Sequence, residues 1–199
     1  MGQTKAIKSQ STITGTTAYV VGLAIGDGNL SNPNGRAVRL RITCDTRYRN
    51  TLKNIVNAVK TVMPQNKVSL VQKSKNCVDV SCYSNKWENI LGWRANKKSK
   101  FNQKVSVPIW IKKSKRLSIS CLRGLIETDG SVYKDRKYVT VNFVTTIHNL
   151  ADDVMEMIIR AGFTPNMQIY KPKNGKIKYT IRVSKNVCEF IEKIGIDKS

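Results

Sequence analysis

The segment VVGLAIGDG at 20–28 recurs as LRGLIETDG at 122–130, with Gly22 and Gly124 separated by 102 positions and Asp27 and Asp129 by the same 102. A chain of 199 residues that repeats itself at half-length spacing is a duplication. Each copy is an apolar stretch that ends in Asp-Gly. Gly22 and Gly26 fall on one helical face, and Gly124 and Thr128 repeat that spacing. Residues this small let two backbones approach closely, so the two segments are expected to pack as a helix pair with their C-termini side by side. An ordinary pair of buried helices, capped by Gly28 and Gly130, is the alternative reading.

The flanking segments repeat as well. Val38, Leu40, Ile42 and Cys44 alternate with Arg39, Arg41 and Thr43, the period of a strand with one apolar face. Leu52, Ile55, Val56, Val59 and Met63 recur at helical spacing up to Pro64. Strands at 68–73 and 77–83 follow, then a helix around Trp87, Ile90 and Leu91. The second half runs the same way: a strand pair at 133–145, a helix marked by Leu150, Val154, Met157, Ile158 and Ala161, strands at 167–171 and 177–184, and a last helix at Val187, Phe190, Ile191 and Ile194. Each half reads helix, two strands, helix, two strands, helix. The chain divides into a polar tail at 1–16, a first half at 17–93, a basic linker at 94–117 and a second half at 118–199.

Acids are scarce, with 13 Asp and Glu against 35 Lys and Arg for a net charge of +22. The excess lies in both halves, and such a field attracts polyanions. No apolar run approaches the roughly 20 residues of a membrane span, and the Thr/Ser/Lys-rich start lacks the core of a secretory signal. The expectation is an intracellular protein, cytoplasmic and nucleoid-associated in a prokaryote, with no membrane partner. The five cysteines form no CxxC pair and His148 is the single histidine, so reduced core cysteines are expected rather than a zinc site.

Two aspartates in this setting need a reason. A carboxylate in the last turn of a helix meets the negative end of the dipole, and two at one interface repel. A hard divalent cation reverses both terms, because Mg²⁺ prefers oxygen and needs only one or two carboxylates besides phosphate and water. Asp27 and Asp129 are therefore read as metal ligands.

The motif pair, the repeat order and the charge together resemble the LAGLIDADG homing endonucleases in their single-chain form. Val107-Pro108-Ile109-Trp110-Ile111 ahead of LRGLIETDGSVY is similar to the archaeal-intron and intein branch. The resemblance implies an α+β fold of two pseudo-twofold-related αββαββα halves, each with a four-stranded antiparallel sheet, which together form a saddle over DNA and join at the two motif helices. It implies hydrolysis of both strands across the minor groove to leave 3′ overhangs, by two-metal chemistry. Asp27 and Asp129 would each serve one strand, and main-chain carbonyls of Gly26 and Thr128 would add to the coordination. Mg²⁺ is the expected cofactor, with Mn²⁺ as an alternative and Ca²⁺ as a non-catalytic substitute. Such enzymes add a lysine near the metals; Lys104 is the nearest candidate here, with Lys98 and Lys100 in competition, and Lys198 is the second-half counterpart. Where relatives carry Gln, this chain has Cys44, and Thr145 or Thr146 in the second half. Glu127 has Ile25 as its counterpart and is expected to be peripheral.

Strand alternation supplies the expected reading surface. Arg39 and Arg41, with Arg36 nearby, and Lys178, Thr180 and Arg182 turn away from the apolar faces; Gln72, Thr140, Asn142 and Gln168 add mixed donors and acceptors for base edges. Lys73 and Lys75, Lys134, Arg136 and Lys137, and Lys173 and Lys176 mark turns suited to phosphates. Asp152 and Asp153 are assigned to the first turn of their helix, where the dipole favours acids. The expected partner is one long, partly asymmetric double-stranded DNA site read by a monomer without an obligate protein partner. Intron RNA, bound by a splicing maturase, and non-catalytic DNA binding are the competing readings.

Overall fold

The computed structural model describes residues 14–95, 98–135 and 138–197. The first half runs α1 (Gly15–Asp27), β1 (Gly28–Ser31), β2 (Arg39–Asp45), α2 (Arg49–Val62), β3 (Val68–Ser74), β4 (Cys77–Tyr83) and α3 (Trp87–Leu91). A short α4 (Ile109–Lys112) leads to α5 (Lys115–Thr128), β5 (Gly130–Asp135), β6 (Tyr138–Thr145), α6 (His148–Ala161), β7 (Asn166–Tyr170), β8 (Lys178–Val183) and α7 (Val187–Ile194). The architecture is α+β, and the two antiparallel sheets have equivalent orders, β1-β2-β4-β3 and β5-β6-β8-β7.

Register makes the duplication concrete. Gly28 pairs with Ile42, and Ile42 with Val80; in the other sheet Gly130 pairs with Phe143, and Phe143 with Ile181. Each Asp-Gly therefore ends a motif helix and opens the edge strand of its sheet. Leu40, Ile42, Val80 and Cys82, like Val141, Phe143, Ile181 and Val183, are buried beneath the helices. Trp87 is fully buried and its Nε1 donates to the Cys82 carbonyl at 3.1 Å, tying α3 to β4.

The centre of the molecule is the α1–α5 contact, the most extensive between any two elements. Glycine makes it possible at two points. A Cβ on Gly22 would strike the Cys121 carbonyl, and one on Gly124 would strike the Tyr19 carbonyl and lie 2.6 Å from the Leu23 nitrogen. Farther along, a Cβ on Gly26 would fall on the Thr128 side chain. The helix pair expected from the motif spacing is thus the joint between the halves.

The stretch between α3 and α5 packs on the core through Val105, Val107 and Ile111. Asp153 holds it there, accepting from the Val107 N–H at 2.7 Å and from Lys112 Nζ at 2.5 Å. This corrects the sequence expectation: α6 begins at His148, so Asp152 and Asp153 stand beyond its first turn. Asp152 instead meets His148 Nδ1 at 3.2 Å. Asp153 is buried with both carboxylate oxygens bound. Removing one partner of a buried ion pair leaves the other uncompensated, so Asp153→Ala is expected to cost about 3–5 kcal/mol in chemical denaturation. Asp153→Asn, which keeps an acceptor for Val107, should cost less.

Candidate metal and nucleic-acid site

Both motif helices end at the same place with the same chemistry. Asp27 is the last residue of α1 and Asp129 the C-cap of α5, both side chains are exposed, and neither helix has a basic residue in its last turn. Their proximity follows from Gly26, where a Cβ would sit 3.5 Å from the Asp129 carboxyl carbon.

Each aspartate opens on its own cavity, and each cavity is completed by the other motif. One, of about 210 Å³, is lined by Asp27 with Thr43, Cys44, Asp45, Glu127 and Thr128. The other, of about 470 Å³, is lined by Asp129 with Gly26, Lys100, Thr145, Thr146 and Lys178. Cys44 and Thr145 are equivalent in register, one position beyond the Thr43 and Val144 pair. No group of three or more His, Cys, Asp or Glu among the described residues could hold a metal by itself. The donors that meet here are oxygens: one motif aspartate per cavity beside the opposite motif's Thr128 or Gly26, with Asp45 and Glu127 also lining the first, a set that fits a hard divalent cation completed by phosphate and water.

The two cavities differ in charge. In the first, Asp27 has Asp45 and Glu127 for neighbours, and no basic side chain among the described residues lines it. Burial, then Asp27 and Asp45, push the Cys44 thiol up to about 11, so it is neutral near pH 7. The second is lined by Lys100, Lys176 and Lys178 as well as Asp129. Lys100 Nζ donates to the carbonyls of Ile25 at 2.5 Å, Gly26, and Ala24 at 3.5 Å. Burial lowers the Lys100 pKa, while Asp129 and then Asp27 oppose the shift.

Lys100, rather than Lys104 or Lys98, is therefore the lysine that the fold brings to the aspartates. Lys104 is exposed with φ of 50° and lines a separate cavity with Phe101, His148 and Tyr179. Lys98 is exposed beside β1, and Lys198 lies outside the described residues. Motif spacing ahead of Pro108 could not separate these lysines, because the turn between Ser99 and Lys104 decides which one points inward.

Glu127 is also more central than its lack of a repeat partner suggested. Its carboxylate is fully buried, accepting from Tyr19 Oη at 2.5 Å, Arg123 Nε at 2.7 Å and the Asp197 N–H at 3.2 Å. Arg123 also stacks over the Tyr19 ring, 5.0 Å from its centre. The group locks α1, α5 and the segment after α7 beside the Asp27 cavity.

The sheet faces turned away from the helices carry most of the expected polar side chains. Arg41 Nη2 donates to Asn29 at 3.0 Å and Nη1 lies 3.8 Å from Asp79. Arg39 contacts Ser31 at 3.3 Å and Tyr83 at 3.5 Å. In the second sheet Asn142 donates to Tyr133 at 3.0 Å and Arg182 to Thr140 at 3.3 Å. Arg41 and Asn142 occupy equivalent rungs, and Arg41 Nε, Asn142 Oδ1 and Arg182 Nε are buried with no protein partner. Such groups ordinarily find one. Gln168, Lys178 and Thr180 share this face, and Arg36, Lys73, Lys75 and Lys173 are exposed around it.

Some expected residues lie elsewhere. Gln72 shares the helix side of its sheet with Val78 and bonds back to the carbonyls of Ser74 and Cys77. Thr140 is fully buried beneath Arg182. Lys134 has the opposite strand parity to Tyr133, and Lys176 lies over the Phe101 ring at 3.9 Å. Arg136 and Lys137 lie outside the described residues. Tyr83 and Tyr133, absent from the residues expected there, also stand on the polar face; for Tyr83 the alternation with the apolar Val78, Val80 and Cys82 is the signal.

Comparison with known proteins bears on this arrangement. Residues 117–195 match the model of a LAGLIDADG-like domain, and residues 16–89 match that of the WhiA LAGLIDADG-like domain. The chain belongs to the LAGLIDADG family. This LAGLIDADG protein superposes on the homing endonuclease I-DmoI in complex with DNA and Mn with a TM-score of 0.66 and 20% identity, covering 90% of this chain and 96% of that one. The N-terminal LAGLIDADG domain of WhiA gives a TM-score of 0.61 and 15% identity, covering 92% and 84%. The replicative DNA helicase DnaB of Rhodothermus marinus is 28% identical over 101 residues, 48% of this chain but only 11% of the helicase. The structural likenesses establish the fold.

Proposed function

We propose that this LAGLIDADG protein is a sequence-specific, divalent-metal-dependent endonuclease that binds one long double-stranded DNA site as a monomer and cuts both strands across the minor groove, leaving 3′ overhangs. The observation that carries the reading is the pair of adjoining cavities, each with one motif aspartate and the opposite motif's last turn. I-DmoI, which shares the fold, is described with target DNA and with Mn, Ca or Mg, which supports a divalent metal, Mg²⁺ or Mn²⁺, here.

Asp27 with the Thr128 carbonyl, and Asp129 with the Gly26 carbonyl, would hold the metals. Bound there, a metal supplies an activated water and neutralises charge on the leaving oxygen. The remaining roles belong to the chain itself. Gly22 and Gly124 set the helix separation and hence the spacing of the two carboxylates. Lys100, Lys176 and Lys178 place positive charge where a scissile phosphate would approach Asp129. Arg41, Asn142 and Arg182, with hydrogen-bonding capacity unmet by protein, would meet base edges.

One observation favours a second reading, DNA binding without cutting. Where the family resemblance expects Gln, Cys44 is a buried neutral thiol, a poor organiser of water; the first half's match to the WhiA domain accompanies it.

Selection from a randomised duplex library separates the readings. The account predicts enrichment of one long sequence, with affinity falling about a thousandfold or more between about 50 and 200 mM salt, as expected when several phosphates are neutralised. Mg²⁺ should then convert bound duplex to product, and EDTA should prevent it. Failure to enrich any duplex would shift attention to RNA.

A further inference from the structure

Lys100 does more at the α1 terminus than stand near a carboxylate. An ammonium has three donors, and Lys100 aims them at the last-turn carbonyls of Ala24, Ile25 and Gly26. Those carbonyls form the negative end of α1, whose last turn has no basic residue of its own. Asp27 and Asp129 add two further negative charges at the same point. A metal held by Asp129 and the Gly26 carbonyl would compete for the oxygen that Lys100 already binds, and it would meet a like charge in contact with it.

We propose that Lys100 is a tethered stand-in cation: in the metal-free protein it occupies the Gly26 carbonyl, and its contact there and a metal at the Asp129 cavity exclude one another. The inference rests on the metal-site reading above. It accounts for how two carboxylates and two helix C-termini are tolerated side by side before a metal arrives. Metal entry would release Lys100 toward the open cavity that it lines with Lys176 and Lys178, where the phosphate charge of bound DNA awaits. Among the described residues the Asp27 cavity has no basic lining residue. The two cavities should therefore bind metal unequally, and removing Lys100 should change the Asp129 cavity more.

The test is Mn²⁺ uptake by the full chain, followed by loss of the free-ion paramagnetic resonance signal, alongside thermal melting. Lys100→Met should bind Mn²⁺ more tightly at one site, by about fivefold or more if the coupling is of ordinary size. Lys98→Met, an exposed charge in the same loop, should match the wild type. Without metal, Lys100→Met should melt below the wild type, and saturating Mn²⁺ should close that gap. If Lys100→Met does not fold without metal, Lys100→Gln, which keeps a donor for one carbonyl, serves in its place. Unchanged or weaker Mn²⁺ binding, with the same melting gap in both conditions, would overturn the proposal and make Lys100 a simple helix cap. No Mn²⁺ uptake by wild type or variant would instead overturn the metal-site reading, and this inference with it.

Discussion

Asp27→Asn and Asp129→Asn are each expected to leave DNA affinity intact while slowing cleavage of one strand by about a thousandfold or more, a loss of about 4 kcal/mol of transition-state stabilisation. Both side chains are exposed at helix C-termini, so the amide should fold as the acid does. Removing a negative charge next to a second one, and next to two dipole ends, relieves repulsion. Loss of the attraction to Lys100 offsets part of that relief, so the variants should melt close to the wild-type temperature. The strand affected should differ between the two variants, because Asp27 and Asp129 line separate cavities. Strand-resolved cleavage of an end-labelled duplex makes the measurement. Equal slowing of both strands by each variant would mean one shared catalytic centre rather than two. A large fall in affinity would mean that the aspartates position DNA rather than cut it.

The second large effect concerns stability. Gly124→Ala puts a methyl group against the Tyr19 carbonyl and the Leu23 nitrogen, both backbone atoms of a buried helix that cannot rotate aside. Overpacking of a core commonly costs about 1–3 kcal/mol, and a backbone clash belongs at or above the top of that range. Ala is also the better helix former by about 1 kcal/mol relative to Gly, which offsets part of the loss. The net expectation is destabilisation by about 2 kcal/mol or more in urea unfolding. Gly22→Ala meets the Cys121 carbonyl and should behave alike. Gly35→Ala is the control for backbone strain: its φ is 69° with nothing within 4 Å of the added carbon, so its loss would come from conformation alone.

Much of this was legible because duplication doubles every signal. The spacing of Gly22 and Gly26 against Gly124 and Thr128 announced a close helix pair, and the alternation about Arg41 and Arg182 separated buried from polar sheet faces. What escaped notice depends on loops and on long-range partners. Asp153 looked like a helix-dipole acid from its neighbours, whereas its partners, Val107 and Lys112, lie more than forty positions away. Glu127 has no repeat counterpart, which predicts a peripheral place; its bonds run to Tyr19 and Asp197, again distant in the chain. Lys100 could not be told from Lys98 and Lys104, since all three sit in a basic loop and only its backbone path decides which reaches α1. Gln72 changed faces through strand parity, in a strand whose register shifts between Gln72 and Ser74.

The most direct measurement is end-mapping of both strands of a selected duplex after incubation with the wild-type chain in Mg²⁺, in Mn²⁺ and in EDTA. The account predicts one metal-dependent break on each strand, offset across the minor groove with 3′ extensions, and none in EDTA. Tight, selective binding with both strands whole in either metal would contradict it and leave a DNA-binding protein built on the same two helices.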